Sequence, residues 1–167
     1  MVPGHLVPQW VPNLSGAISG SGGITKSGSG NLTLSGSNNF TGTITLSNGT
    51  LIGASDNALG SAPTIAASNS PTFQTSSSSI TLPSLTVTGE INLTSDIITT
   101  GAQSYSAATT IGASSGSAIT VRTTNSNITF SDDVKLYQNT TINSGSGGGT
   151  ITFGGDMYTH NSASAER

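Results

Sequence analysis

The sequence predicts an all-β chain wound as a right-handed parallel β-helix, or β-solenoid, of roughly six to seven coils. Three observations predict it. First, short apolar pairs recur between turn-forming spacers: Leu32 and Leu34, Ile44 and Leu46, Leu51 and Ile52 are separated by Gly, Ser, Thr and Asn. Strands this short cannot hold a core alone, and become stable when successive copies stack and bury a shared apolar column. Second, one phrase returns. Asn127-Ile-Thr-Phe130-Ser-Asp-Asp133-Val134 is followed, 23 residues on, by Thr150-Ile-Thr-Phe153-Gly-Gly-Asp156-Met157. That offset suits one turn of a β-helix and predicts Phe130 on Phe153, Ile128 on Ile151 and Asp133 above Asp156. Third, no window carries the i, i+3, i+4, i+7 pattern of an amphipathic helix, and Gly and Ser stand where a helix needs strong formers.

Composition points the same way. Charged residues make up 7% of the chain, against about 25% in a typical soluble domain. Ser and Thr together supply about a third of the residues. Such a chain is either disordered or a solenoid with a hydroxyl and amide surface. Disorder goes with high net charge and few β-branched residues. Here the net charge is −3, and alternating triplets such as Leu85-Thr86-Val87 and Ile119-Thr120-Val121 recur. The solenoid is therefore the expected state. The absence of cysteine excludes disulfide staples and thiolate metal sites.

Taken in order, residues 1–14 form an extended Pro-rich segment. Pro3, Pro8 and Pro12 lack the amide hydrogen that a sheet ladder requires, and Val7, Trp10 and Leu14 are expected to lie against the first coil. No basic region followed by an apolar run opens the chain, so this is not a secretory signal peptide, and the sequence reads as a fragment. The β-helix occupies residues 15–160. Strands are expected at 32–34, 43–46, 50–52, 80–82, 85–87, 91–93, 97–99, 119–121, 127–130, 134–136 and 150–153, each with apolar residues on one face and Thr or Ser on the other. Within it, residues 61–79 read as an irregular stretch or loop, given Pro63, Pro71 and the run Ser76 to Ser79. Residues 161–167 form a C-terminal tail. Antiparallel hairpins remain an alternative, since Asn48-Gly49 suits a tight hairpin turn.

From Ser15 to Gly60 a fixed order runs through a Gly-rich entry, Leu-Thr-Leu-Ser-Gly, Asn-Asn-Phe-Thr-Gly, Gly-Thr-Leu-Ile-Gly and Ala-Leu-Gly. This order resembles the passenger-associated strand repeat of bacterial autotransporter passengers. The resemblance covers about a quarter of the chain. A second phrase, Ile97-Ile-Thr-Thr-Gly-Ala-Gln-Ser-Tyr105, is similar to a segment of haemagglutinin-type adhesin exoproteins exported by two-partner secretion. Both imply a protein that is secreted or displayed on the bacterial cell surface, with an outer-membrane transporter as its partner during export. Folding by coil-on-coil stacking could then draw the chain outward through a pore.

Candidate chemistry is sparse. Asp132 and Asp133 are neighbours and would point to opposite faces of a strand. An Asp133–Asp156 ladder could hold a cation between coils; the plainer reading makes both turn aspartates bonded to nearby amides. Gly147-Gly-Gly149-Thr150-Ile151-Thr152 lacks the Asp of the calcium β-roll repeat. His5 and His160 lie far apart in the terminal segments, without a carboxylate at ligand spacing. Gly20-Ser-Gly22 and Gly28-Ser-Gly30 are turn glycines, since no helix or Gly-Lys-Ser/Thr ending follows. No catalytic, cofactor-binding or metal site is therefore expected, and no cofactor. The four basic residues, Lys26, Arg122, Lys135 and Arg167, are scattered, which argues against nucleic acid. Seven Asn-x-Ser/Thr triplets, beginning at Asn13, Asn31, Asn39, Asn48, Asn92, Asn127 and Asn139, could accept glycans, although Asn also suits left-handed turns.

These observations lead to a stalk or adhesin segment rather than an enzyme. Adhesion to a host or matrix glycan or protein, or to identical chains alongside, is expected over a distributed face. Its weakly marked candidates are the outward hydroxyls Thr33, Thr43, Thr45, Thr86 and Thr88. Two alternatives stand beside it. A carbohydrate-active enzyme of the polysaccharide lyase or hydrolase type would gather charged residues on one face, and only Asp132, Asp133, Lys135 and Asp156 come near that. An ice-binding solenoid would use flat Thr-x-Thr ladders; Thr43-Ile-Thr45 and Thr86-Val-Thr88 match, without a constant coil spacing.

Overall fold

Leu, Ile, Val and Phe at every second position of the short strands leave one face apolar and one polar, and only stacking can bury the apolar face. A computed structural model of the chain, described over residues 12–61, 63–113 and 116–159, shows the stack. The expected packing of Val7 and Trp10, the two histidines and the tail 161–167 lie outside the described residues.

The strands form three parallel sheets. The first contains eight: β1 (Asn13–Leu14), β3 (Asn31–Leu34), β5 (Thr50–Gly53), β7 (Thr72–Thr75), β10 (Ile91–Leu93), β13 (Thr109–Ile111), β16 (Val134–Leu136) and β19 (Met157–Thr159). The second contains seven: β2 (Ile24–Lys26), β4 (Ile44–Leu46), β6 (Thr64–Ala67), β9 (Leu85–Thr88), β12 (Gln103–Tyr105), β15 (Ile128–Phe130) and β18 (Ile151–Phe153). The third contains four: β8 (Thr81–Leu82), β11 (Ile97–Thr99), β14 (Ile119–Thr123) and β17 (Thr140–Asn143). Each coil visits the second sheet and then the first. From β8 onward it also visits the third. The result is an all-β solenoid of about seven turns.

Every strand pairing among the described residues is parallel, which removes the hairpin alternative. Asn48-Gly49 is a turn between β4 and β5, and these strands belong to different sheets. The expected repeat is present: Ile128 pairs with Ile151 and Phe130 with Phe153, their rings stacked with centroids 5.4 Å apart. Tyr105 continues that column beneath Phe130, at 4.8 Å. The stretch 61–79 departs from expectation. It carries β6 and β7, and Ile65 and Phe73 are fully buried there. The prolines are accommodated at strand starts: Pro63 immediately precedes β6, and Pro71 immediately precedes β7. Asn69 and Ser70 take the left-handed backbone between them. A second irregular corner, residues 76–80, leads from β7 to β8.

The interior is a thin column of Leu, Ile, Val, Phe and Tyr from Leu32 to Val134. On the third side of the N-terminal coils, where no strand forms, Asn38 does the joining. It is almost fully buried. Its Oδ1 accepts from the Ile18 amide at 2.8 Å, and its Nδ2 donates to the Ala58 carbonyl at 2.6 Å, so one side chain ties three successive coils. Asn38→Ala would leave a half-buried amide and a buried carbonyl without this partner. The expected loss is about 1–3 kcal/mol, read as a lower urea midpoint at unchanged slope.

Candidate functional site

Outward positions of the second sheet form two columns of small residues, all hydroxyl-bearing but Ala66. Register aligns Thr64, Thr86, Ser104, Thr129 and Thr152 in one column. The other runs through Thr25, Thr45, Ala66 and Thr88. Beneath them Ile44, Ile65, Val87, Tyr105 and Phe130 face the interior. Successive members of a column are therefore spaced like neighbouring strands, about 4.8 Å. Thr45, Thr86 and Thr88 are exposed, and Thr64, Ser104 and Thr129 half-exposed.

The five threonines singled out from sequence do not share one face. Thr45, Thr86 and Thr88 belong to the second sheet, and Thr43 immediately precedes its strand β4. Thr33 lies on the first sheet, half-buried and paired with Ile52. The structure adds Thr64, Ser104, Thr129 and Thr152 to the face. Their signal in the sequence was a hydroxyl between two inward residues. Unequal coil lengths concealed that they align. Thr64 and Thr86 are 22 residues apart, Thr86 and Ser104 18, Ser104 and Thr129 25. The corners absorb these differences.

The charged residues near the C-terminal coils are engaged in turns. Asp132 Oδ1 accepts from the Asp133 amide at 2.8 Å, and Asp133 Oδ1 from the Asp156 amide at 2.9 Å. The Lys135 ammonium sits 5.0 Å above the Tyr137 ring. Among the described residues no group of three or more His, Cys, Asp or Glu could hold a metal ion.

Polar groups also enter the interior, each with its partner. Gln103 Nε2 donates to the Ile97 and Arg122 carbonyls at 3.2 and 2.8 Å, and Tyr105 Oη donates to Gln103 Oε1 at 2.7 Å. Burial pushes the Tyr105 phenol far above its ordinary range, so it stays a neutral donor. At the N-terminal end Lys26 is buried, its ammonium donating to the carbonyls of Ser27, Gly28 and Asn48 at 3.0, 2.7 and 3.2 Å.

No curated protein and no solved structure matches the chain. One family model does match: the passenger-associated-transport-repeat, over residues 24–52. That span runs from β2 almost to the end of β5 and contains the Lys26 corner. Residues 24–52 are thus similar to a passenger-associated transport repeat, and that similarity, set in a parallel β-solenoid, fits a segment of an autotransporter passenger.

Proposed function

We propose that the chain is a rod segment of a secreted or surface-displayed bacterial passenger protein. It adheres through the hydroxyl face of the second sheet to a host or matrix glycan or protein, or to identical rods lying alongside. An outer-membrane transporter is its partner during export. The observation that carries this reading is the register: residues of unequal sequence spacing align into one unbroken column of hydroxyls beside a second that Ala66 interrupts. About seven turns at about 4.8 Å each give roughly 30 Å of rod. A surface of this kind has little charge to steer a partner and many donors and acceptors to share with one.

The test places charge on the face without touching the core. Thr45→Lys, Thr86→Lys and Thr88→Lys are exposed substitutions, each expected to change stability by no more than about 0.5 kcal/mol. Bacteria displaying the triple variant are expected to lose at least tenfold in adhesion to immobilised matrix or in clumping. Adhesion and clumping at the parent level would remove this face from the reading.

The same alignment favours one second reading. The motifs Thr43-Ile-Thr45 and Thr86-Val-Thr88 fall on one sheet two coils apart, as an ice-binding ladder requires, with Ala66 interrupting the second column. Thermal hysteresis of the purified chain decides it. A freezing-point gap that grows with concentration supports ice binding, and its absence at millimolar concentration excludes it.

A further inference from the structure

We infer that a groove at the corner between the third and second sheets binds a carboxylated sugar unit of an acidic polysaccharide, with Arg122 as the residue that recognises the carboxylate. This rests on the glycan-binding branch of the reading above and places the recognition at a site of its own.

The argument starts from β14. Its inward residues Ile119, Val121 and Thr123 are buried, which turns Arg122 out to solvent. Arg122 pairs with Asn143 of the next coil, and both are exposed. The two coils then turn differently. After Thr123 the chain reaches β15 within five residues, whereas after Asn143 it runs through Ser144-Gly-Ser-Gly-Gly-Gly149 to β18. That longer loop is pinned at three points. Ser144 Oγ donates to the Gly149 carbonyl at 2.7 Å, the Gly145 amide to Asn143 Oδ1 at 2.7 Å, and the Gly147 amide to Asn125 Oδ1 at 2.6 Å. Arg122, Thr123, Thr124, Asn143, Gly145 and Ser146 line a groove of about 460 Å³, within the range of small-molecule sites.

The groups left over define the ligand. Arg122 makes no ion pair or side-chain hydrogen bond among the described residues. Asn143 has committed its carbonyl oxygen to the loop, so it presents its amide donors. Asp96, at the other end of β14, is occupied by the Thr120 amide at 2.7 Å. The groove thus offers an unpaired guanidinium fork, the amide group of Asn143 and the hydroxyls of Thr124 and Ser146. A guanidinium pairs a carboxylate in bidentate geometry, and hydroxyls that donate and accept match sugar hydroxyls. A single cation is too little for a chain of phosphates, and the lining has no aromatic platform on which a base could stack. One carboxylate among many hydroxyls describes a uronate residue.

Affinity electrophoresis of the full chain through gels containing polygalacturonate, or uncharged dextran, tests the inference. Retardation by polygalacturonate but not by dextran is expected, reduced at least tenfold by Arg122→Ala, and a few-fold by Asn143→Ala. Arg122→Lys keeps the charge but not the fork, and is expected to recover only part of the binding. Circular dichroism of each variant verifies that the solenoid is intact. Equal retardation by both polymers, no retardation by either, or full binding by Arg122→Ala overturns the inference. These outcomes are separable from failure of the hydroxyl face, because the Lys substitutions on the second sheet leave Arg122 untouched. A chain that loses clumping with the triple Lys variant but ignores polygalacturonate keeps the first reading and loses this one.

Discussion

Phe130→Ala is expected to destabilise the chain by about 3–5 kcal/mol, the range for deleting a buried aromatic ring from a core that cannot fully collapse. Phe130 is 1% exposed. Its ring lies between Tyr105 and Phe153, nearly parallel to both, at 4.8 and 5.4 Å. Such stacks add about 0.5–1.5 kcal/mol to simple burial. Phe153 supplies the control. It terminates the column and remains 36% exposed, so Phe153→Ala is expected to cost only about 1–2 kcal/mol. Urea denaturation of both variants gives the comparison. Equal losses would mean that the column does not carry load from coil to coil. The architecture also predicts where the damage goes. Coils contact only their neighbours, so stability is close to a sum of coil and interface terms. Phe130→Ala should therefore strip hydrogen-exchange protection from β15 to β19 and leave β2 to β7 protected.

The same physics decides what the sequence could reveal. The pairing of Phe130 with Phe153 was legible because two successive coils happen to have nearly equal contents. Strands with two apolar inward residues, such as Ile44 and Leu46 or Leu85 and Val87, were legible from alternation alone. Strands β12, β13 and β17 were not. Each puts a polar residue at a core-side position: Gln103, Thr109 and Thr140. The two threonines are satisfied locally, Thr109 Oγ1 on the Ala107 carbonyl and Thr140 Oγ1 on the Gln138 carbonyl, whereas Gln103 reaches the Ile97 carbonyl and the Arg122 carbonyl of the next coil. A hydrophobicity pattern cannot anticipate bonds that form only when the corner closes. The third sheet was hidden for a related reason. It begins at β8, where the chain gains a third flat side, and no change in composition marks the transition. The hydroxyl face was half legible. Single Thr-x-Thr motifs could be seen, but their alignment depends on corner lengths that vary from coil to coil. The Arg122 groove was not legible at all, because Arg122 and Asn143 lie 21 residues apart and meet only through register.

Lys26→Ala is expected to cost about 3 kcal/mol, since it removes the buried stem together with the ammonium that three carbonyls share at this half-buried corner. The chain has only four basic residues, and this one is 7% exposed. An ammonium provides three donors and accepts nothing, which matches the three oxygens of Ser27, Gly28 and Asn48 that converge there. Lys26→Met keeps the aliphatic stem and removes the donors. It is expected to recover roughly 1 kcal/mol of the loss through packing. Gly49 closes the same corner. It has φ +72°, and a side chain there would press against the carbonyl oxygens of Gly28 and Gly30 and the Lys26 ammonium. Gly49→Ala is therefore expected to cost about 3 kcal/mol from strain and displacement together. Because the two residues share one corner, their effects should not add: the double variant is expected to lose about 1 kcal/mol less than the sum. Strict additivity would mean that the ammonium and the turn are independent. In hydrogen exchange the pattern should mirror that of Phe130→Ala, with β2 to β5 losing protection while β14 to β18 keep theirs. Two lesions at opposite ends, each melting its own end, are what a one-dimensional stack requires, and loss of protection throughout in both cases would contradict it.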